Sequence, residues 1–231
     1  MKSTDSEESS TAGHEPYGAE PENRRGLDSP AARFGASMSP RTSSKTLQAR
    51  LVRKERENLE RVFDSFENED SVARAAALIA GARRRFIVGH GRSAAFAHLL
   101  DLDLSHGVSQ VSLIDGQSTR SIDVLTDVRS TDVLVAFSLR RYRRETAPLV
   151  QAFARRGGTV VAVTDSVDSP LVRPASEVVI VPTDSASVTD SATGIAAVIH
   201  LLTALTTASA KGSRRRLTER ESLIQEMGPY I

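Results

Sequence analysis

Three loops of this chain combine glycine, serine and arginine, and each one follows a short apolar segment. The loops are Gly89-His90-Gly91-Arg92-Ser93, Ser138-Leu139-Arg140-Arg141-Tyr142-Arg143-Arg144-Glu145 and Ser166-Val167-Asp168-Ser169-Pro170. Such loops offer backbone N–H groups, hydroxyls and guanidinium groups to a phosphate. In an open α/β sheet, ligands bind outside the carboxyl ends of the strands. The loops therefore predict one anion site that successive strands share.

The elements that must position these loops alternate between strand and helix along the chain. The strand segments are Phe86–Val88, Val108–Ile114, Val133–Phe137, Thr159–Thr164 and Val178–Val181. The helical segments are Ser93–Ser105, Gln117–Leu125 (a short helix or a loop), Arg144–Arg156, a single turn at Ser169–Arg173, and Val188–Ala208. This alternation predicts an α/β fold with a five-stranded parallel sheet flanked by helices on both faces.

Composition divides the chain into four parts. Residues 1–45 contain almost no aliphatic side chains and cannot bury enough apolar surface to offset their ordering entropy, so we expect a disordered polar tail. Residues 46–82 have apolar side chains at helical spacing and predict two packing helices, the first at Thr46–Phe66. We expect residues 83–210 to form the α/β domain and residues 211–231 to form a charged terminal helix.

The composition also excludes several classes of function. The chain has 231 residues, no cysteine and a formal net charge of +1, so disulfides, thiolate nucleophiles and Cys-zinc sites are excluded. No His, Asp or Glu cluster has the spacing of metal ligands, and we expect neither a metal nor a cofactor. No apolar run is long enough to span a membrane, and the N-terminus does not resemble a secretory signal. We therefore expect a cytoplasmic protein without membrane association.

The order of these loops at successive strand ends resembles a known family. From about Leu47 to the C-terminus the chain resembles a SIS (sugar isomerase) domain, a flavodoxin-like three-layer sandwich. Within that group it resembles the effector domain of MurR/RpiR-type transcriptional regulators. The features that carry this closer resemblance are the Ser138–Glu145 loop, the segment from Val161 through Asp165 to Asp168-Ser169-Pro170-Leu171, and Glu177-Val178-Val179.

The resemblance implies a phosphorylated sugar or amino sugar as the ligand. The candidate ligand-binding residues are Gly89, Gly91, Arg92, Ser93, Ser138, Arg140, Arg141, Glu145, Thr164, Ser169 and Ser187. Simpler interpretations remain open: a tight turn that needs glycine, a solvated basic loop, and ordinary helix capping by Ser169 and Ser187. In many SIS proteins the loop that begins at Ser138 is Ser-Gly-x-Thr. In this chain Arg140 and Arg141 replace the small residues of that loop. These arginines either strengthen anion binding or fill the pocket.

Two residues bear on whether the protein is an enzyme. Glu145 stands where SIS isomerases often have a catalytic carboxylate, and His200 lies on the helix where some have an acid/base histidine. A carboxylate near a sugar C–H suits aldose–ketose isomerisation. A glutamate at a helix N-terminus also favours the macrodipole without any catalysis. The leading hypothesis is a ligand sensor, and the alternative is a sugar-phosphate isomerase.

The resemblance also concerns partners. RpiR-type regulators have an N-terminal helix-turn-helix domain, but no such pair of helices is recognisable before Leu47, so DNA binding is in doubt. The Thr46–Phe66 helix is similar to the linker that joins the two domains. A further alternative is a DNA-binding regulator whose DNA-binding domain is truncated or missing. SIS domains generally pair, and we expect a homodimer or homotetramer formed through the Thr46–Phe66 and Val188–Ala208 helices.

Overall fold

The computed structural model describes residues 43–228 together with Ala31 and Arg33. Between residues 43 and 228 the helices are α1 (Ser44–Asn68), α2 (Ser71–Gly81), α3 (Ser93–Gly107), α4 (Ser121–Thr126), α5 (Thr146–Arg155), α6 (Thr193–Ser209) and α7 (Ser213–Met227). The strands are β1 (Arg84–Gly89), β2 (Val111–Leu113), β3 (Asp132–Ser138), β4 (Thr159–Thr164) and β5 (Glu177–Ile180). The predicted polar tail falls almost entirely outside the described residues.

The strands form one parallel sheet in the order β2-β1-β3-β4-β5. β2 lies on one side of β1, and β3, β4 and β5 follow on the other side. The order in which strands join the sheet therefore reverses after β2. The register aligns the strand ends, because Gly89 lies opposite Phe137 and Ser138 lies opposite Thr164. The predicted five-stranded parallel sheet is confirmed, and the loops after β1, β3 and β4 leave it at the same edge.

Helices cover both faces of the sheet. On one face, α2, α3 and α6 pack against strand residues such as Ile87, Val135 and Val163, and Val62 of α1 joins this cluster. On the other face, α4 and α5 pack against the intervening strand residues, including Leu134 and Ala162. Alternate residues of each central strand thus enter two separate cores, which is why these strands are apolar throughout. The three-layer architecture is the predicted one.

The structure corrects several predicted element bounds. Helix α6 begins at Thr193 and not at Val188, because residues 181–192 form a loop in which side chains bond to nearby backbone N–H groups. Strand β2 is shorter than predicted, and residues 169–173 form turns and no helix. The segment after β2 begins with a loop, since the Asp115 carboxylate accepts hydrogen bonds from three successive backbone N–H groups. Helix α5 begins at Thr146, two residues later than predicted.

Within the described residues, no single helix is both long and apolar enough to cross a membrane, and α6 with α7 meets the requirement only as a pair bent by 106°.

A buried ion pair fixes the start of β3. The Asp132 side chain has no exposed surface, and its carboxylate accepts hydrogen bonds from Arg84 Nη2 at 2.6 Å and from the Arg129 backbone N–H at 2.8 Å. Burial alone would raise the pKa of the Asp132 carboxyl, but these bonds outweigh burial and lower it. A lowered pKa in the folded state contributes stability above the unfolded pKa of about 4, and this contribution is lost as the pH falls through the folded value.

We expect D132N to lower the free energy of unfolding by about 1–2 kcal/mol at pH 7, because hydrogen bonds to a charged acceptor are lost. We also expect the variant to lose less stability than the wild type between about pH 5 and pH 2. Urea unfolding at a series of pH values measures both effects. D123N, which changes an exposed aspartate of α4, is the matched control. If the free energy of unfolding depends on pH in the same way for D132N and the wild type, the pKa of Asp132 is not lowered in the folded protein.

Candidate functional site at the carboxyl edge of the sheet

The loop after β1 makes a very close approach to helix α3. Gly89 ends the strand, and a Cβ placed there would lie 2.3 Å from the Ser93 carbonyl oxygen. Gly91 has a φ of +60°, a conformation that glycine adopts without strain. Ser93 begins α3 and is buried. The two glycines therefore bring the first turn of a 15-residue helix directly onto the end of the strand.

The loop after β3 is anchored by the residue that follows β4. The Asp165 carboxylate accepts hydrogen bonds from the Arg140 backbone N–H at 3.2 Å and from the Tyr142 hydroxyl at 3.1 Å. Burial of the ring, the charge of Asp165 and the hydrogen bond to it raise the pKa of Tyr142 to about 12. Tyr142 therefore remains a protonated donor near neutral pH. Asp165 also lies 3.7 Å from the Arg140 Nε, so the carboxylate holds both ends of this turn.

Contacts between the loops show that they converge on one region. His90 Nδ1 and Thr146 Oγ1 are 2.9 Å apart, which connects the loop after β1 to the start of α5. The side chain of Arg143 lies against Gly91, with its Nε 3.1 Å from the position of a Cβ on that glycine. The Thr164 hydroxyl donates to the Ser138 carbonyl oxygen at 2.7 Å, which joins the ends of β3 and β4. The predicted convergence of these three strand ends is therefore present.

A cavity of about 480 Å³ opens beside these loops, toward β5. Three arginine–aspartate pairs line it, with separations of 2.5 Å for Arg33–Asp190, 3.1 Å for Arg61–Asp184 and 3.7 Å for Arg140–Asp165. The other lining residues are Ile180, Pro182, Thr183 and Ser185. Carboxylates accept hydrogen bonds from hydroxyls, and guanidinium groups donate to oxygen atoms. The cavity wall can therefore bind a polyhydroxylated molecule at several points.

The predicted site residues have different structural roles. Ser93, Ser138, Thr164 and Ser169 are buried at the loop edge, although Thr164 uses its hydroxyl on the backbone and the Ser169 hydroxyl accepts from the Leu171 N–H at 3.4 Å. The Arg92 side chain is exposed and donates to the Asp190 carbonyl oxygen at 2.7 Å. Arg141 is exposed. Ser187 lies in the loop before α6. Of the predicted residues, Arg140 lines the cavity.

Several residues at this edge were not predicted from the sequence. Asp165 directly follows β4, so the rule that ligands bind at strand ends would have found it. Arg143 was recognised as part of a basic loop, but the sequence could not select it over the neighbouring arginines. Arg33 and Arg61 lie far from the strands in sequence and have no local signal. Asp190 falls where a loop replaces the predicted start of α6, and Asp184 lies in the loop before that point.

The structure does not join the two residues proposed for an isomerase. Glu145 is exposed and precedes the first residue of α5, and its side chain forms no cap to that helix. His200 is exposed on α6, about 10 Å along the axis from the start of that helix. Among the described residues, no hydrogen bond or ion pair joins Glu145 to His200. The described part of the chain also contains no group of three or more His, Asp or Glu side chains that could hold a metal ion.

Known proteins provide an independent comparison. Residues 78–207 match the family model of the SIS domain. The structure is similar to the sugar isomerase domain of an RpiR transcription factor from Sphaerobacter thermophilus, with a TM-score of 0.70 and 26% sequence identity, covering 78% of this chain and 98% of that chain. A search of curated proteins finds no match.

Two more distant structures share the fold. The NanR protein of Vibrio vulnificus, complexed with ManNAc-6P, has a TM-score of 0.66 and 14% identity, covering 86% of this chain and 74% of that chain. A hypothetical protein of Methanococcus jannaschii, with an inferred function of 3-hexulose-6-phosphate isomerase, has a TM-score of 0.56 and 14% identity. The match covers 72% of this chain and 97% of that chain. Because the SIS model matches more than half of the chain, the protein belongs to the SIS domain family.

Proposed function

We propose that this protein binds a phosphorylated sugar or amino sugar at the carboxyl edge of its sheet and acts as a ligand sensor. The phosphate would bind at the first turn of α3, near Ser93 and the end of β3 at Ser138. The sugar would extend into the cavity lined by the arginine–aspartate pairs. The structure of NanR, which has the same fold, is a complex with ManNAc-6P, and this supports a ligand of the same class.

The observation that carries the proposal is the arrangement of buried hydroxyls and positive charge at the start of α3. Ser93, the first residue of α3, is 5% exposed, and Ser138, the last residue of β3, is 3% exposed; β3 lies beside β1, the strand that precedes α3. The Arg143 side chain lies against Gly91 in the same region, and no carboxylate of the described residues forms an ion pair with it. A helix N-terminus, hydroxyl donors and a guanidinium group together are the features that bind phosphate.

Calorimetry with pairs of ligands tests the proposal. Glucosamine 6-phosphate and ManNAc-6P are each titrated into the protein beside the same sugar without phosphate. We expect the phosphorylated member of at least one pair to bind, and the unphosphorylated member to bind at least 100-fold more weakly, because charge-assisted bonds to phosphate contribute several kcal/mol. Equal affinity for both members, or no binding by a folded sample, would reject the proposal.

Replacement of Arg143 should weaken phosphosugar binding. We expect R143A to raise the Kd about tenfold, since a charge-assisted hydrogen bond contributes about 1.5–3 kcal/mol. The Kd of the variant should also depend less on salt concentration than that of the wild type. R155A removes the same charge from the exposed C-terminal end of α5 and should leave the Kd unchanged. If R143A and R155A bind alike, Arg143 has no part in the phosphate site.

We infer a sensor and not an isomerase, because among the described residues neither Glu145 nor His200 forms a hydrogen bond to a residue of the proposed site. Aldose–ketose isomerisation needs an acid or base within hydrogen-bond reach of the reacting carbons. Glu145 and His200 are both exposed, Glu145 directly before α5 and His200 as the eighth residue of α6. We therefore assign Glu145 to the N-terminus of α5, where a negative charge favours the helix dipole.

We further propose that the sensor regulates transcription and that it acts as an oligomer. The similarity to the RpiR domain of Sphaerobacter thermophilus supports the first of these. For the second, α1 has a partly exposed apolar stripe that includes Val52, Leu59 and Phe63, and we propose that two copies pair along it. Sugar phosphates are made and used in the cytoplasm, where we place the protein.

A further inference from the structure

Helix α1 lies outside the segment that matches the SIS family, yet it forms part of the cavity wall. The family match begins at residue 78, and α1 ends at Asn68. Arg61 of α1 nevertheless lines the cavity beside Asp184, and its Nη2 lies 3.1 Å from the Asp184 carboxylate. A molecule that fills the cavity would therefore contact α1.

The loop at residues 181–192, which connects β5 to α6, is bonded to α1 along its length. Asn58 donates to the Asp184 carbonyl oxygen. At the other end of the loop, the Ser191 hydroxyl donates to Glu55 at 2.5 Å, and the Thr193 hydroxyl donates to the same carboxylate oxygen at 2.9 Å. Pro182, Thr183, Asp184, Ser185 and Asp190 of this loop also line the cavity. One loop thus serves as cavity wall and as attachment site for α1.

The same loop is connected to the proposed phosphate site. The Arg92 guanidinium, in the loop that leads from Gly91 to Ser93, donates to the Asp190 carbonyl oxygen at 2.7 Å. Asp190 is one residue from Ser191, which bonds to Glu55 of α1. A ligand that moves or orders the loop after β1 would therefore act on the bonds that hold α1.

Apolar packing of α1 on the domain is limited. Of the 25 residues of α1, Asn58 and Val62 are buried, and Phe66 is partly buried against the same core as Val62. Val62 packs where α6 begins, since its Cγ2 lies 3.1 Å from the position of a Cβ on Gly194. Beside these apolar contacts, the polar bonds to residues 184, 191 and 193 contribute to the attachment of α1.

We propose that docking of α1 is coupled to ligand binding through residues 181–192, so that α1 is the element that reports the ligand. This inference rests on the proposed phosphosugar site. Coupling between two equilibria is reciprocal: a ligand that favours the docked helix is itself bound more tightly when the helix is docked. A substitution that loosens the docking of α1 must then weaken ligand binding, and a bound ligand must make undocking of α1 less frequent.

The test uses two substitutions of identical chemistry on α1. E55Q weakens the bonds to Ser191 and Thr193, whereas E57Q changes an exposed glutamate that pairs with Lys54 at 3.6 Å on the same helix. We expect E55Q to raise the Kd for glucosamine 6-phosphate or ManNAc-6P about fivefold or more, within the usual range of such coupling. E57Q should bind as the wild type does.

Hydrogen–deuterium exchange supplies the second readout. In the wild type, either phosphosugar should slow exchange of the α1 amides around Asn58 and Val62, and this protection should be smaller in E55Q. Two results with a wild type that binds a phosphosugar would contradict the coupling alone: equal Kd values for E55Q and E57Q, or unchanged exchange of the α1 amides on ligand binding. Neither result would contradict the proposed binding site. If the wild type binds neither phosphosugar, both the coupling and the proposed function are wrong.

Discussion

G89A should disrupt both the fold around the site and ligand binding. A Cβ at this position would lie 2.3 Å from the Ser93 carbonyl oxygen and 2.7 Å from the Ser93 carbonyl carbon. Both atoms belong to the backbone at the start of α3, so the helix itself must move to make room. We expect the free energy of unfolding to fall by about 2–3 kcal/mol, which is typical of overpacking a buried position.

The displacement should also remove most phosphosugar binding. The N–H groups of the first turn and the Ser93 hydroxyl would leave their positions, and we expect the Kd to rise by about 30-fold or more, since several bonds to the phosphate are lost together. Urea unfolding and calorimetry measure the two effects. G81A is the matched control, because no atom lies within 4 Å of its Cβ position, and it should stabilise the protein by about 0.5 kcal/mol. If the G89A protein is as stable as the G81A protein, the strand end at Gly89 does not lie so close to the Ser93 carbonyl group.

S93D should abolish phosphosugar binding while the protein stays folded. Ser93 is the first residue of α3 and is 5% exposed. A carboxylate there would lie near the bound phosphate, and two negative charges about 4 Å apart repel by about 4 kcal/mol at an effective dielectric constant near 20. We expect the Kd to rise more than 100-fold. The helix N-terminus favours a negative side chain, which offsets part of the cost of the buried charge.

Calorimetry of S93D beside S93A separates charge from the loss of the hydroxyl. S93A loses the hydroxyl alone, and we expect its Kd to rise about tenfold. Unfolding measurements on both variants establish that the fold persists. A folded S93D protein with a Kd within threefold of the wild type would place the phosphate elsewhere.

The sequence predicted the fold because its strands are buried on both faces. β3, from Asp132 to Ser138, is buried along its whole length, and its five inner residues form a continuous apolar run. Such a run, followed by polar loops and amphipathic helices, has few alternatives to a parallel α/β sheet. The ends of β1, β3 and β4 then converge as a consequence of the parallel arrangement. This convergence could be predicted without any tertiary information.

The rest of the candidate site depends on contacts between distant parts of the chain. Arg33 and Asp190 are 157 residues apart, and Arg61 and Asp184 are 123 residues apart, so no local pattern connects them. The bounds of α6 were wrong for a related reason. Apolar spacing continues through Val188, but Ser185, Ser187 and Ser191 bond to nearby backbone N–H groups and keep residues 185–192 out of the helix. These bonds join residues two apart, and the Ser191 hydroxyl also donates to Glu55 of α1, a contact between distant residues that no local pattern predicts.

The structure of the protein with a bound phosphosugar tests the central claim most directly. Crystals grown with ManNAc-6P or glucosamine 6-phosphate, whichever binds more tightly by calorimetry, would show where the phosphate lies. We predict a phosphate within hydrogen-bond distance of the Ser93 and Ser138 hydroxyls, with the sugar hydroxyls against the aspartates of the cavity. A phosphate bound away from both serines, or a ligand outside the carboxyl edge of the sheet, would contradict the account.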